Sequence, residues 1–300
     1  MPDRTRLMLS LIVAAGSLTG WGCEGSVDPG PAAPIEGPDA APERVAAVAP
    51  VPLTLSDAVV IGASVSAGYE TYLAEAAPEN RGGVTLARVL GAVTGDAEPR
   101  SFANVLFFMN RRTIAEAQLN SVLALQPRIV FALDYLFWHA YGAGLSDAQR
   151  VEVFERGLER LERLGDGVPI VIGDLPEMSH AIGKILSAAE VPSVEVQEAL
   201  NLRLREWAAE RKNVVVLPVR ATVAAAMAEG RVELGSGLYE GSAARGLLTD
   251  NGLHATVSGL IALALESLRE LRGAGLLEPG AAWEEDAAEV RRVLIERLGG

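Results

Sequence analysis

Cysteine is nearly absent: Cys23 is the only one in 300 residues, so no disulfide can form within the chain. Histidine is almost as scarce, with three in all, at positions 139, 180 and 254. Any chemistry that needs an imidazole therefore has three candidates. Base is short relative to acid, with 26 Lys and Arg against 39 Asp and Glu and a formal net charge of −13. Without a basic stripe to meet phosphates, nucleic acid is not an expected partner. Aromatics make up 5% of the chain, too few for a base-stacking platform or a long sugar-binding cleft. No cluster of His, Cys and Asp falls at metal-ligand spacing, and no Gly-rich loop is laid out to cradle phosphate. The sequence gives no reason to expect a metal or a cofactor.

What is present is apolar: 49% of residues are hydrophobic and 22% charged, enough for a substantial core in one large domain or two small ones. At the start, Arg4 and Arg6 precede an apolar run over 7–15, and small residues then lead to Cys23. That run is short for a bilayer span and has the layout of a signal peptide. A cysteine directly behind it resembles a bacterial lipoprotein signal, although Gly20 and Trp21 depart from the usual pattern. The resemblance implies a signal over 1–23, lipid on Cys23, and a chain exported to and anchored in a bacterial cell envelope. Ordinary secretion, periplasmic or beyond, is the alternative. Residues 24–52 are rich in Pro, Ala and Gly without apolar periodicity and read as a disordered tether.

From Leu53 onward, short apolar runs alternate with helical patterns. Strands are expected at 58–62, 102–108, 128–134, 168–174 and 213–219, and helices at 113–125, 146–164, 194–211 and 256–272. Five such strands separated by helices predict an α/β fold, a parallel sheet covered on both faces. The folded domain is expected over 53–275, with a helical extension over 276–300 whose helix falls at 281–298.

Two stretches carry candidate chemistry. The first strand runs into Gly62-Ala63-Ser64-Val65-Ser66-Ala67-Gly68, a small-residue turn at the strand's carboxyl end, where open α/β sheets present reactive groups. Read by itself it also fits a tight turn with no chemistry. Near the other end, Asp250-Asn251-Gly252-Leu253-His254 precedes an apolar helix. A serine nucleophile needs a base in hydrogen-bond reach and an acceptor to orient that base. His180 reads as a polar surface residue and Asp174 as a helix cap or turn residue.

Taken together, these two stretches resemble the SGNH/GDSL hydrolases, esterases and lipases on a flavodoxin-like α/β/α sandwich. The resemblance spans roughly 53–272. It implies Ser64 as nucleophile and, through its own N–H, as oxyanion donor, with His254 as general base and Gly259 as the helix glycine that follows. It places Ser66 as a turn residue and Asn110, after the second strand, as a second backbone donor. Three positions depart from the family. Ala63 stands where an acid precedes the serine, Asp134 where an oxyanion-hole Asn belongs, and Asn251 where the triad Asp belongs. Asp250, one place earlier, is then the expected carboxylate for His254, and Asp134→Asn is expected to preserve or raise activity. The aromatic run 134–142 supplies Trp138 and Tyr141 as expected walls of a substrate pocket, with aromatics merely covering the sheet end as the alternative. The implied function is an exported serine esterase acting on a small-molecule, polysaccharide or lipid ester. The alternative is a weakened or inert binding or structural lipoprotein on the same scaffold.

Overall fold

The computed structural model describes residues 51–80 and 83–299. The signal, Cys23 and all but the last two residues of the tether lie outside the described residues. In chain order the elements are β1 (Val51–Pro52), β2 (Ala58–Val60), α1 (Leu86–Thr94), β3 (Arg100–Ser101), α2 (Arg111–Leu125), β4 (Ile129–Ala132) and α3 (Phe137–Ala140). Then come α4 (Asp147–Glu162), β5 (Ile170–Gly173), α5 (Val194–Ala209), β6 (Val214–Leu217) and α6 (Val219–Ala224). The chain ends with β7 (Arg231–Leu234), β8 (Gly237–Glu240), α7 (Ser242–Arg245), α8 (Val257–Gly273), β9 (Ala281–Ala282) and α9 (Ala287–Arg297).

The main sheet has five parallel strands in the order β3-β2-β4-β5-β6. Counted along the chain, that is 2-1-3-4-5, the flavodoxin-like order. Parallel strands are covered on both faces, and the side chains show it. Val59, Val130, Ala132, Ile170 and Ile172 point into one core with α2, α4 and α5. Ala58, Val60, Ile129, Phe131, Val171 and Val215 alternate into the other core with α1, α8 and α9. Two apolar faces from one set of strands make three layers. The expected five-stranded parallel sheet in an α/β/α sandwich is the fold observed. The order reverses between β2 and β4, so their carboxyl ends flank the crevice where such sheets bind ligands. Ser64 follows β2 and Asp134 follows β4.

The helices begin where the sequence offers caps. Ser146 forms a capping box with Gln149, Ser193 caps α5, and Thr256 accepts from the Gly259 N–H to start α8.

The second strand differs from expectation. It is only Arg100–Ser101, and the apolar run 102–108 is mostly loop. Asn104 Oδ1 accepts from Leu106 N at 2.8 Å, turning the chain away from the sheet. Phe107 then drops into the core while Val105, Leu106 and Phe108 stay exposed. In the extension, 281–282 pairs with β1 rather than starting a helix, and α9 buries Val290 and Leu294. The β7–β8 hairpin and α1 carry no sequence expectation.

Candidate active site

Gly62 follows β2 in a conformation with φ +141°, and a Cβ there would lie 2.2 Å from Asp134 Oδ1. Only glycine admits both the backbone and the carboxylate behind it. Gln118 of α2 holds both backbone groups of this residue: Gly62 N donates to its Oε1 at 3.1 Å, and its Nε2 donates to Gly62 O at 2.8 Å. The chain then winds through one tight turn, with Ala67 N donating to Ala63 O and Tyr69 N to Ser64 O. Ser64 sits at the start of that turn, largely buried.

Asp134 fills the inside of the turn. Its Oδ1 accepts from Ala63 N at 2.9 Å and from Ser66 Oγ at 2.6 Å; its Oδ2 accepts from Val65 N at 2.8 Å and Ser66 N at 3.3 Å. The amides on either side of Ser64 are thus taken, and Ser64's own N–H is left out of the set. This corrects the expectation for Asp134. The carboxylate borders the pocket beside Ser64, but its oxygens are engaged in buttressing the nucleophile turn, where three N–H groups and a hydroxyl converge on it.

His254 arrives from the loop before α8. Gly252, at φ +77°, allows the sharp reversal in which Gly252 N donates to Thr249 O and Thr249 N to His254 O. His180 is half-buried and its Nε2 meets Gly252 O at 2.9 Å, bracing the same loop. The imidazole Nε2 lies 3.0 Å from Ser64 Oγ, joining residues 190 positions apart. Tyr69 packs against the ring at a tilt, with ring centroids 4.8 Å apart. Burial pushes the His254 pKa down to about 4 against the opposing pull of the Asp134 charge, so the ring is neutral at neutral pH.

Behind the ring stands Asn251. Its Nδ2 lies 2.9 Å from His254 Nδ1 and also bonds the Glu70 carboxylate. Its Oδ1 accepts from Leu253 N at 2.7 Å and His254 N at 3.1 Å. Asp250 is exposed and makes no bond to the imidazole, so it is not the expected orienting carboxylate. The loop presents residue 251 inward, and a one-residue shift would break both backbone bonds to Oδ1. Glu70 was missed because nothing in its sequence surroundings marks it; only the tertiary meeting with position 251 does. Gln118 was missed for the same reason.

Three further expectations are corrected. Asn110 is exposed and caps α2 by accepting from Thr113 N, and it is not among the residues lining the pocket beside Ser64. Tyr141 is fully buried, donates to Pro176 O at 2.6 Å and accepts from Gln197 Nε2. Trp138 is buried between Phe137 and Phe108. The guanidinium of Arg111 pins this stretch by donating to Trp138 O and Tyr141 O, both at 3.1 Å. The aromatic run therefore packs the sheet end, and only Phe137 reaches the pocket. That pocket opens beside Ser64 and is walled by Leu133, Phe137, Leu175, Met178, Val223, Leu253 and Leu263. Asp174, at its edge, accepts from Arg220 N at 2.7 Å and caps α6. His139 is wholly buried away from the serine, with Nδ1 donating to Tyr135 O. Among the described residues, no three His, Cys, Asp or Glu side chains are grouped to hold a metal ion.

No family model and no curated protein sequence matches the chain. Among solved structures it is similar to a lipase/acylhydrolase from Enterococcus faecalis, at 16% identity over 75% of this chain and 99% of that one, with a TM-score of 0.48. It is also similar to a member of the lipolytic G-D-S-L family from Veillonella parvula DSM 2008, at 12% identity over 71% and 96%, with a TM-score of 0.43. A third is an acetylxylan esterase from Geobacillus stearothermophilus, solved as a catalytic mutant, at 14% identity over 75% and 95%, with a TM-score of 0.45.

Proposed function

We propose that this protein is a serine ester hydrolase, exported and lipid-anchored through Cys23, that acts slowly on esters with an apolar acyl group. The observation that carries the reading is the 3.0 Å contact between Ser64 Oγ and His254 Nε2 at the mouth of an apolar pocket. In acylation, Ser64 Oγ bonds to the ester carbonyl carbon while its proton passes to His254 Nε2, in the ring form that holds its own proton on Nδ1. The bond to the leaving alkoxy oxygen then breaks, and that oxygen takes the proton from the imidazolium. Water repeats the sequence on the acyl-enzyme and releases the acid. The free Ser64 N–H supports the developing oxyanion. Asn104 fixes the loop beside the serine turn, where its N–H donates to Gly62 O at 3.0 Å and its Oδ1 accepts from Leu106 N. Residue 251 offers no negative charge to the imidazolium, which sets a low rate.

The test is a fluorophosphonate probe with p-nitrophenyl esters as substrates. Stoichiometric labelling that Ser64→Ala abolishes, with an unchanged melting curve, supports the reading. Absence of labelling and turnover in folded wild-type protein overturns it. For the anchor, mass spectrometry of the mature protein should find an N-terminal Cys23 carrying lipid. Any other first residue without lipid removes that part.

A further inference from the structure

We propose that Asn251, backed by Glu70, holds His254 as the Nε2–H tautomer, so that the resting imidazole presents a hydrogen-bond donor rather than a base to Ser64. The inference rests on the Ser64–His254 reading above for its consequence, but not for its evidence.

The orientation of the Asn251 amide is fixed by what surrounds it. Leu253 N and His254 N converge on one of its terminal atoms, at 2.7 and 3.1 Å. Backbone N–H groups only donate, so the atom they share is the oxygen. The other terminal atom is then the NH₂, and it meets two groups, His254 Nδ1 at 2.9 Å and a carboxylate oxygen of Glu70. An amide NH₂ has two hydrogens and no acceptor capacity. One hydrogen goes to the carboxylate and the other to Nδ1, which therefore carries a lone pair. The neutral ring keeps its single proton on Nε2, facing Ser64 Oγ.

Turning the amide over would oppose its oxygen to the Glu70 carboxylate and its NH₂ to two N–H donors. Three of the four contacts would become repulsive and only the one to Nδ1 could be kept, by a ring protonated there, so the arrangement has one favoured sense. Glu70 is itself held in an unusual backbone state. It and Gln126 are the only non-glycine residues at positive φ among the described residues, and Gln126 ends α2. Glu70, at φ +57°, closes no helix. Its left-handed conformation places a carboxylate against Asn251, 181 residues away.

The chemical consequence follows from the proton's position. Ser64 can lose its proton only to a ring nitrogen with a free lone pair, and in this tautomer Nε2 has none. Glu70 and Asn251 are thus positioning residues that act through the ring. In a serine protease, an amide in place of the triad carboxylate lowers kcat by about 10⁴ through the wrong tautomer. A carboxylate at 251 would accept from Nδ1–H and reverse the ring, but it would sit against Glu70. Glu70→Gln removes that conflict, since its amide donates to the new carboxylate.

The experiment is ¹⁵N NMR of histidine-labelled full chain at pH 7, with the three rings assigned through His180→Gln and His254→Gln. In the wild type, His254 should show a protonated Nε2 and an unprotonated Nδ1. In Asn251→Asp/Glu70→Gln the pattern should reverse, and kcat on p-nitrophenyl esters should rise by about 10²–10⁴. A wild-type ring protonated on Nδ1 overturns the proposal whether or not the variant folds, as does an Nε2–H ring in the folded double variant. If both spectra are as expected but no form reacts with fluorophosphonate, the tautomer assignment stands and the esterase reading falls.

Discussion

Asp134 and Ser66 share a 2.6 Å hydrogen bond beneath the Ser64 turn, and the same carboxylate takes the N–H groups of residues 63, 65 and 66. An Asn at 134 must point an NH₂ at one of these donor sets. Asp134→Asn should therefore lower stability by about 1–3 kcal/mol and reduce fluorophosphonate labelling, opposite to the expectation from the family pattern. Urea unfolding and labelling rate measure both effects. A variant of wild-type stability and equal or higher labelling would show that the turn does not depend on the anion.

Gly62 makes the sharper structural prediction. Its φ of +141° is a conformation that side chains rarely adopt, and a Cβ would press on Asp134 Oδ1 and on Ser66 Oγ. Gly62→Ala should cost about 3 kcal/mol or more, read as a fall in the urea midpoint with an unchanged slope. Ala63→Gly, one residue on, should cost far less.

Stability should fall on acidification between pH 6.5 and 5. Burial holds His254 down at about 4 and His139 at about 3, while an unfolded histidine titrates near 6.5. Both folded values are depressed, so the unfolded chain binds more protons in this window. The stability present above pH 6.5 is lost as pH falls toward the folded values. At pH 5 the loss is about 2 kcal/mol per ring. Unfolding free energies at pH 7 and 5 test this, and His254→Gln should show a drop smaller by about one ring's share. An identical drop in that variant would assign the dependence elsewhere.

The sheet was legible because β-branched runs such as Ile129–Ala132 and Ile170–Gly173 are buried on both faces and so are apolar throughout. The edge strand was misplaced because residues 102–108 are apolar for another reason: they turn over the sheet end, where Phe102 and Ala103 pack against the cores and Phe107 is fully buried. The serine and the histidine were legible from small-residue and Gly-containing turns. Their supports were not. Glu70, Gln118 and the buttressing role of Asp134 are contacts between residues 56 to 181 positions apart, and no local pattern encodes them. The pocket walls were misassigned because Trp138 and Tyr141 are aromatic at the right sheet edge, yet their carbonyls are tied back by Arg111.

The pocket beside Ser64 gives the last prediction. Its walls are mostly aliphatic, with Phe137, Met178 and Thr222 among them, Asp174 bonds a backbone N–H at its edge, and no Lys or Arg lines it. A straight acyl chain gains roughly 0.8 kcal/mol for each CH₂ it buries there, so kcat/KM should rise by about fourfold per carbon until the pocket is full. Thr222, on α6, is half-buried and lines the pocket wall. Thr222→Trp places a ring in the space the distal carbons would occupy. It should lower kcat/KM for an octanoyl ester by about 10–100-fold while leaving an acetyl ester within about twofold. The comparison of p-nitrophenyl acetate with octanoate in both proteins measures the ratio directly. Equal losses for both esters would mean that the ring disturbs the serine turn, and no loss for octanoate would place the acyl chain outside this pocket.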